Sequence, residues 1–255
     1  MAYIDEMKKQ GNWLFRWRSF LPLIIMLLFP IGLRHSTYFM GSILLDRLWE
    51  LSCFTISLAG LAIRIYTVGY VPAGTSGRTT SNPKAEELNT TGMYSIVRHP
   101  LYLGNCVIWA GIAVLPRSTL LMVACVLAFC LYYERIIVAE EAFLSEKFGL
   151  AFAQWAEKVP VMIPKIKLWI RPARSFSWQA VLEREYPGFF AITASFALID
   201  ALIDWFRDAE WELDWLWVVI FCIGLLVFVV SLTLKKLGIT KPCQNPPYQI
   251  KTAQT

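Results

Sequence analysis

Hydrophobic positions in this chain fall in long runs, broken by short stretches rich in charge, aromatic rings or proline. A helix needs ~20 apolar residues to cross the hydrocarbon of a bilayer, and several runs approach or exceed that length. They predict spanning segments over about 20–33, 42–70, 101–115, 119–139, 189–206 and 213–234. The first is short and interrupted by Pro22 and Pro30, which predicts a tilt or kink. The third has 15 residues, about 22 Å at ~1.5 Å per residue, less than a full bilayer core. Pro116, Arg117 and Ser118 turn it back into the fourth, giving a short helical hairpin. Residues 140–148 continue as a polar helix with Phe143, Leu144 and Phe148 on an apolar side, and Gly149 ends it. Phe152, Trp155, Pro160 and Pro164 suggest a segment lying at the lipid–water interface.

The fold class expected is an all-α integral membrane protein with about six transmembrane helices, including that short hairpin, plus interfacial helices. It forms a single membrane-embedded domain over 1–255. N-terminal helices occupy 1–87, a core occupies 88–164, and 165–255 holds a basic interfacial segment and two further spans.

Charge placement gives the orientation, because Lys and Arg concentrate on the cytoplasmic side. Of the 24 Lys and Arg, Arg47 and Arg64 lie inside a span, three (Arg34, Arg117, Arg207) fall in outer loops, and the other 19 fall on one side. Both termini are therefore expected in the cytoplasm, in a bacterial inner membrane or, alternatively, the endoplasmic reticulum. Arg16, Trp17 and Arg18 close an aromatic, basic belt, and residues 1–18 lack the small-residue cleavage site of a signal peptide. Asp46 or Arg47 can share a helix face with Glu50, and Arg64 sits nearer the other end of that run. Ion pairing and a substrate-lining role both fit these buried charges.

Composition agrees with a membrane protein: 56% of the 255 residues are hydrophobic, and the mean hydropathy is +0.49. A net charge of +5 spread along loops does not suggest nucleic acid. Five of the six cysteines lie in apolar runs without metal-ligand spacing, and are expected to be reduced packing residues. His35 and His99 are the only histidines, so no metal site is expected. No protein partner is evident; a membrane lipid is the expected substrate.

Candidate chemistry centres on Gly92-Met93-Tyr94-Ser95-Ile96-Val97-Arg98-His99-Pro100-Leu101-Tyr102-Leu103-Gly104. Pro100 suits a first helical position, where its missing N–H has no partner to lose. His99 then precedes a helix whose first amides point outward. Gly104 removes a side chain so that a ligand or another backbone approaches. A plainer reading also exists: Arg, His and Tyr anchor a helix at the membrane surface, and Gly104 with Gly111 suits close helix packing.

This motif is followed by two helical runs, then Glu140-Glu141, Phe148-Gly149 and Val159-Pro160. Together the pieces resemble the isoprenylcysteine carboxyl methyltransferase family; phospholipid methyltransferases carry related motifs. The resemblance covers about 88–164. It implies S-adenosylmethionine as cofactor, with Leu88, Tyr94, His99, Pro100, Leu101, Tyr102, Gly104 and Glu140 as its contacts. It also implies that an arginine near the Glu pair contacts the acceptor anion. Arg135 is that candidate, although it stands one residue from the family's usual arginine position, held here by Ile136; Arg98 and Glu141 are the other catalytic candidates. The residues suit that cofactor: carboxylates accept from its ammonium or ribose hydroxyls, and His99, Tyr94 and Tyr102 donate. No glycine-rich dinucleotide fingerprint is present.

The chain runs about 90 residues past Val159-Pro160, where isoprenylcysteine enzymes end. This addition carries Lys165, Lys167, Arg171, Arg174 and Arg184, which favour an anionic head group. The lead-in Leu88-Asn89-Thr90-Thr91-Gly92 is similar to a bacterial branch that includes lipid A phosphate methyltransferases. The expected activity is O-methylation of an anionic lipid head group, a phosphate such as that of lipid A. A prenylated cysteine carboxylate is the alternative, and a non-catalytic membrane scaffold the second.

Overall fold

In the computed structural model the described residues are 2–18, 21–33, 39–71, 85–208 and 214–239. Arg34, His35, the 72–84 connection, the 209–213 loop and the tail from 240 lie outside them. The described helices are α1 (Ala2–Trp17), α2 (Leu21–Met26), α3 (Phe29–Leu33), α4 (Ile43–Tyr70), α5 (Pro100–Val114), α6 (Thr119–Phe148), α7 (Leu150–Lys158), α8 (Trp178–Asp208) and α9 (Trp215–Lys236). Among the described residues there is no strand, only a single antiparallel bridge between Gly92 and Ile170. The all-α membrane architecture is therefore present.

Local chemistry sets the helix starts. Ser42, Ser118 and Asp214 accept from the first-turn amides of Leu45, Leu121 and Leu216, capping α4, α6 and α9. Pro100 begins α5, with His99 as its N-cap. Gly149 takes φ +51° between α6 and α7, a left-handed turn that glycine adopts without strain.

Among the described residues, four helices are long and apolar enough to cross a membrane: α4, α6, α8 and α9. α5, with 15 residues, is the shorter apolar helix of the hairpin. The run expected as the first span is instead two short helices, of six and five residues. Pro22 and Pro30 each sit in a first turn, where proline is tolerated, so each starts a helix instead of interrupting one. α8 also departs from expectation by starting well before residue 189. Its early turns hold Glu183, Arg184 and Glu185, which look interfacial in sequence, yet Glu185 is neutralised by Arg64 of α4 and the helix continues through Pro187.

α4 and α5 form the tightest seam. A Cβ on Gly60 would lie 2.6 Å from both Gly104 O and Ile108 N, and one on Gly111 would lie 2.4 Å from Cys53 O. Ser57 Oγ donates across the seam to Ile108 O at 2.9 Å. Around it, Phe29, Leu33, Leu61, Ile112, Ile192, Phe196 and Trp217 build the main core. α1 is amphipathic and lays Met7, Gly11 and Phe15 against the bundle, with Gly11 against the Arg135 carbonyl of α6.

At the C-terminal end of α5 the charges expected inside the second span are paired. Arg47 meets Glu50 at 2.9 Å and also Asp214; Arg117 meets Asp46; Trp217 Nε1 donates to Glu50 at 3.1 Å. These contacts tie α9 and the α5–α6 turn to α4 at that end, about 22 Å along α5 from His99.

Candidate active site

The opposite end of α5 gathers the motif residues. Gly92, with φ +61°, turns the chain into a short 3-10 turn, Met93–Ser95. A strap over 159–177 then runs back along it. Pro160 O accepts from Arg98 N at 2.8 Å, Val161 O from His99 N at 3.3 Å, and Ile96 O from Lys165 N at 3.0 Å. Gly92 N donates to Ile170 O at 2.9 Å, and Ser95 Oγ bonds Ile170 N at 2.9 Å. The separated sequence pieces are thus one hydrogen-bonded unit: Pro160 and Val161 hold the backbone of Arg98 and His99.

His99 is buried, at 6% exposure. Its Nε2 lies 3.0 Å from Glu141 Oε1, and its Nδ1 lies 3.6 Å from Glu140 Oε2. Tyr102 OH donates to Glu140 Oε2 at 2.8 Å, and its ring stacks on the His99 imidazole at 5.5 Å. Arg98 Nη1 donates to Glu141 Oε2 at 3.2 Å, while its buried Nε has no partner among the described residues. Glu140 and Glu141 are adjacent on α6, yet both reach His99 because the imidazole has a nitrogen for each.

Electrostatics follow from that placement. Burial alone would push the His99 imidazolium down, but the hydrogen bonds and charges of Glu140 and Glu141 outweigh it and hold the group above its ordinary value. Burial, then the charge of Glu140, push the Tyr94 phenol up, against the pull of Arg184 and Arg64. The Tyr94 backbone carbonyl accepts from Trp155 Nε1 at 3.1 Å.

The structure brings together Tyr94, Arg98, His99, Tyr102, Glu140 and Glu141. Pro100 is buried beneath them, and Leu101 gives its carbonyl to Arg64 Nη1 at 3.4 Å. Leu88 is half-buried in the irregular stretch before Gly92. Two expected residues are elsewhere. The space freed at Gly104 is filled by α4: a Cβ there would lie 2.5 Å from Arg64 Cγ. Arg135 points to α1, bonding Gln10 Oε1 at 2.9 Å and Glu134 at 3.3 Å, while its neighbour Ile136 takes the fully buried face.

Asn105 and Tyr133 were not anticipated. Asn105 Nδ2 donates to Tyr133 OH at 2.7 Å, and the Tyr133 ring lies 4.8 Å from that of Tyr102. Helical spacing carries the signal: Asn105 is one turn after Tyr102, and Tyr133 two turns before Glu140. Among the described residues no group of three or more His, Cys, Asp or Glu is arranged to hold a metal ion.

Residues 50–151 match the phospholipid methyltransferase family model. The chain is 31% identical over 155 residues to the nickel-cobalt-cadmium resistance protein NccN of Alcaligenes xylosoxydans xylosoxydans, covering 60% of this chain and 65% of that protein. It is 32% identical over 126 residues to the cobalt-zinc-cadmium resistance protein CzcN of Cupriavidus metallidurans, covering 49% and 55%. It is 27% identical over 119 residues to protein-S-isoprenylcysteine O-methyltransferase B of Arabidopsis thaliana, covering 46% and 60%. The chain therefore spans less than two thirds of these relatives' lengths. No solved structure matches. The family match covers Arg98, His99, Tyr102, Glu140 and Glu141 alike, and over this core the chain is similar both to the phospholipid methyltransferase family and to isoprenylcysteine carboxyl methyltransferases.

Proposed function

We propose that the protein is an integral membrane, S-adenosylmethionine-dependent O-methyltransferase that acts on an anionic oxygen of a membrane lipid. The observation that carries this is the cluster of Arg98, His99, Tyr102, Glu140 and Glu141 where apolar helices meet a polar strap. The donor set fits the cofactor. Glu140 is partly exposed and can accept from the ammonium or the ribose hydroxyls, and the Tyr94 phenol, held protonated, donates. When bound, the cofactor supplies an already activated methyl group, so an anionic acceptor needs positioning and partial desolvation but no general base. Arg98 suits that positioning. Its charge is shared with Glu141, so its grip orients the acceptor oxygen without quenching it.

A phosphate such as that of lipid A is the acceptor this reading favours. Lys165, Lys167 and Arg171 stand exposed on the strap beside the cluster, each contributing about 1 kcal/mol toward an anionic surface. Arg174 is engaged with Glu87 at 2.6 Å and so acts elsewhere. The second reading, a prenylated cysteine carboxylate, is favoured by the similarity to the plant protein-S-isoprenylcysteine O-methyltransferase. In both readings the cluster and both termini face the cytoplasm, in a bacterial inner membrane for the first.

Purified protein incubated with labelled S-adenosylmethionine separates the two. The phosphate reading expects label in a phosphorylated lipid fraction, and about a tenfold or greater rise in its KM when Lys165, Lys167 and Arg171 are all changed to Gln. Label on a farnesylcysteine analogue with phosphorylated lipids untouched overturns it in favour of the carboxylate.

A further inference from the structure

Glu185 lies in α8, beyond the residues that match the family, and is 4% exposed. Its two carboxylate oxygens take Nε and Nη2 of Arg64 at 2.8 Å each, the paired fork of an arginine–carboxylate bridge. Arg64 Nη1 continues to Asn105 Oδ1 at 2.8 Å and to Leu101 O in the first turn of α5. Asn105 holds the Tyr133 hydroxyl, Tyr133 backs the Tyr102 ring, and Tyr102 OH ends the chain on Glu140. Six side chains from α4, α5, α6 and α8 thus run from a buried acid outside the matched region to a carboxylate inside the cluster.

A buried ion pair is weak support for stability, since a well-packed apolar pair of similar volume often does as well or better. What it supplies here is geometry. The fork fixes the Arg64 guanidinium in one orientation, and that orientation fixes Asn105 by a single hydrogen bond in a seam with no slack at Gly104.

We propose that Arg64 and Glu185 are positioning residues of the site: α8 sets, through Asn105 and Tyr133, the Tyr102–Glu140 hydrogen bond. The role rests on the reading of that cluster as the S-adenosylmethionine site. It gives the C-terminal addition a task besides acceptor attraction, that of backing a site whose own residues all come from elsewhere.

The test separates geometry from stability. The protein has two histidines, so His35→Gln leaves His99 as the only imidazole to titrate by NMR. On that background Arg64→Met with Glu185→Leu removes both charges together and keeps bulk. Asn105→Leu cuts the chain while leaving the Arg64–Glu185 fork closed. Each protein is melted in detergent, its His99 titration followed, and its S-adenosylmethionine Kd measured. Both variants are expected to melt near the parent, to bind S-adenosylmethionine about tenfold or more weakly, and to show a lower His99 midpoint as Glu140 loses its fixed place. Variants that keep the parent's His99 midpoint overturn the proposal, and so do variants that keep its Kd. A parent that binds no S-adenosylmethionine refutes the cofactor reading instead, and the His99 midpoint still decides the positioning claim.

Discussion

Glu140→Ala is expected to weaken S-adenosylmethionine binding by ~1–3 kcal/mol, about five- to 150-fold, the usual cost of removing a partner from a charged group. The change deletes the acceptor assigned to the cofactor's ammonium or ribose. It also strands the Tyr102 hydroxyl, which donates to Glu140 at 2.8 Å, and takes one of two carboxylates from His99. His99→Ala is expected to lose a comparable amount by a different route, since it leaves Glu140 and Glu141 facing each other without the cation between them. The pairing also predicts a pH dependence. His99 titrates above its ordinary value, so the charged form is favoured in the fold. The stabilisation is fully present below the ordinary imidazole value of about 6.5 and is lost as pH rises through the raised one. Calorimetry at pH 6 and pH 9, beside melting curves, checks both points. Two variants that bind like the parent would remove the cluster from the cofactor site.

The largest effects on folding are expected at the α4–α5 seam. Gly60→Val and Gly111→Val each insert atoms where even a Cβ would lie 2.3–2.6 Å from Ser57, Cys53, Gly104 or Ile108. Three of these contacts are with backbone, which no rotamer change relieves, so helix α5 must move off α4. Overpacking of this kind costs about 1–3 kcal/mol or more. Close approach is also what holds helices together in lipid, where apolar side chains gain little by leaving the lipid for each other. Gly188→Ala is the control: its nearest neighbour is 3.6 Å away, an ordinary contact. Melting of the three proteins in detergent should rank Gly188→Ala with the parent and the seam variants well below. Equal melting temperatures would show that the seam is not tightly packed.

Much of this was legible in the sequence. The apolar run at 42–70 forecast α4 (Ile43–Tyr70), and Pro100 forecast the start of α5, because steric and hydrogen-bond rules at a helix N-terminus act locally. The Arg98–His99 stretch and the Glu140–Glu141 pair were recognisable as partners only through the family pattern; no local rule brings residues forty positions apart together. The charged start of α8 was misleading because the neutralising partner of Glu185, Arg64, is over a hundred residues away. The aromatic, basic belt that ends at Arg18 masks α1 in the sequence, although Met7, Gly11 and Phe15 recur every four residues, the spacing of a helix face. Gly104 carried two readings in sequence, ligand approach and helix packing, and only the position of Arg64 shows which neighbour uses the space.

The central claim is that one S-adenosylmethionine binds at the Glu140–His99 cluster. Its most direct test is titration of the purified parent protein in detergent with S-adenosylmethionine by calorimetry, repeated with Glu140→Ala. The account predicts saturable one-to-one binding to the parent and a five- to 150-fold weaker isotherm for the variant, the ~1–3 kcal/mol of one lost charged partner. Absence of heat from the parent, under conditions where it melts cooperatively, would contradict it and leave a membrane scaffold that keeps the helical core without the chemistry.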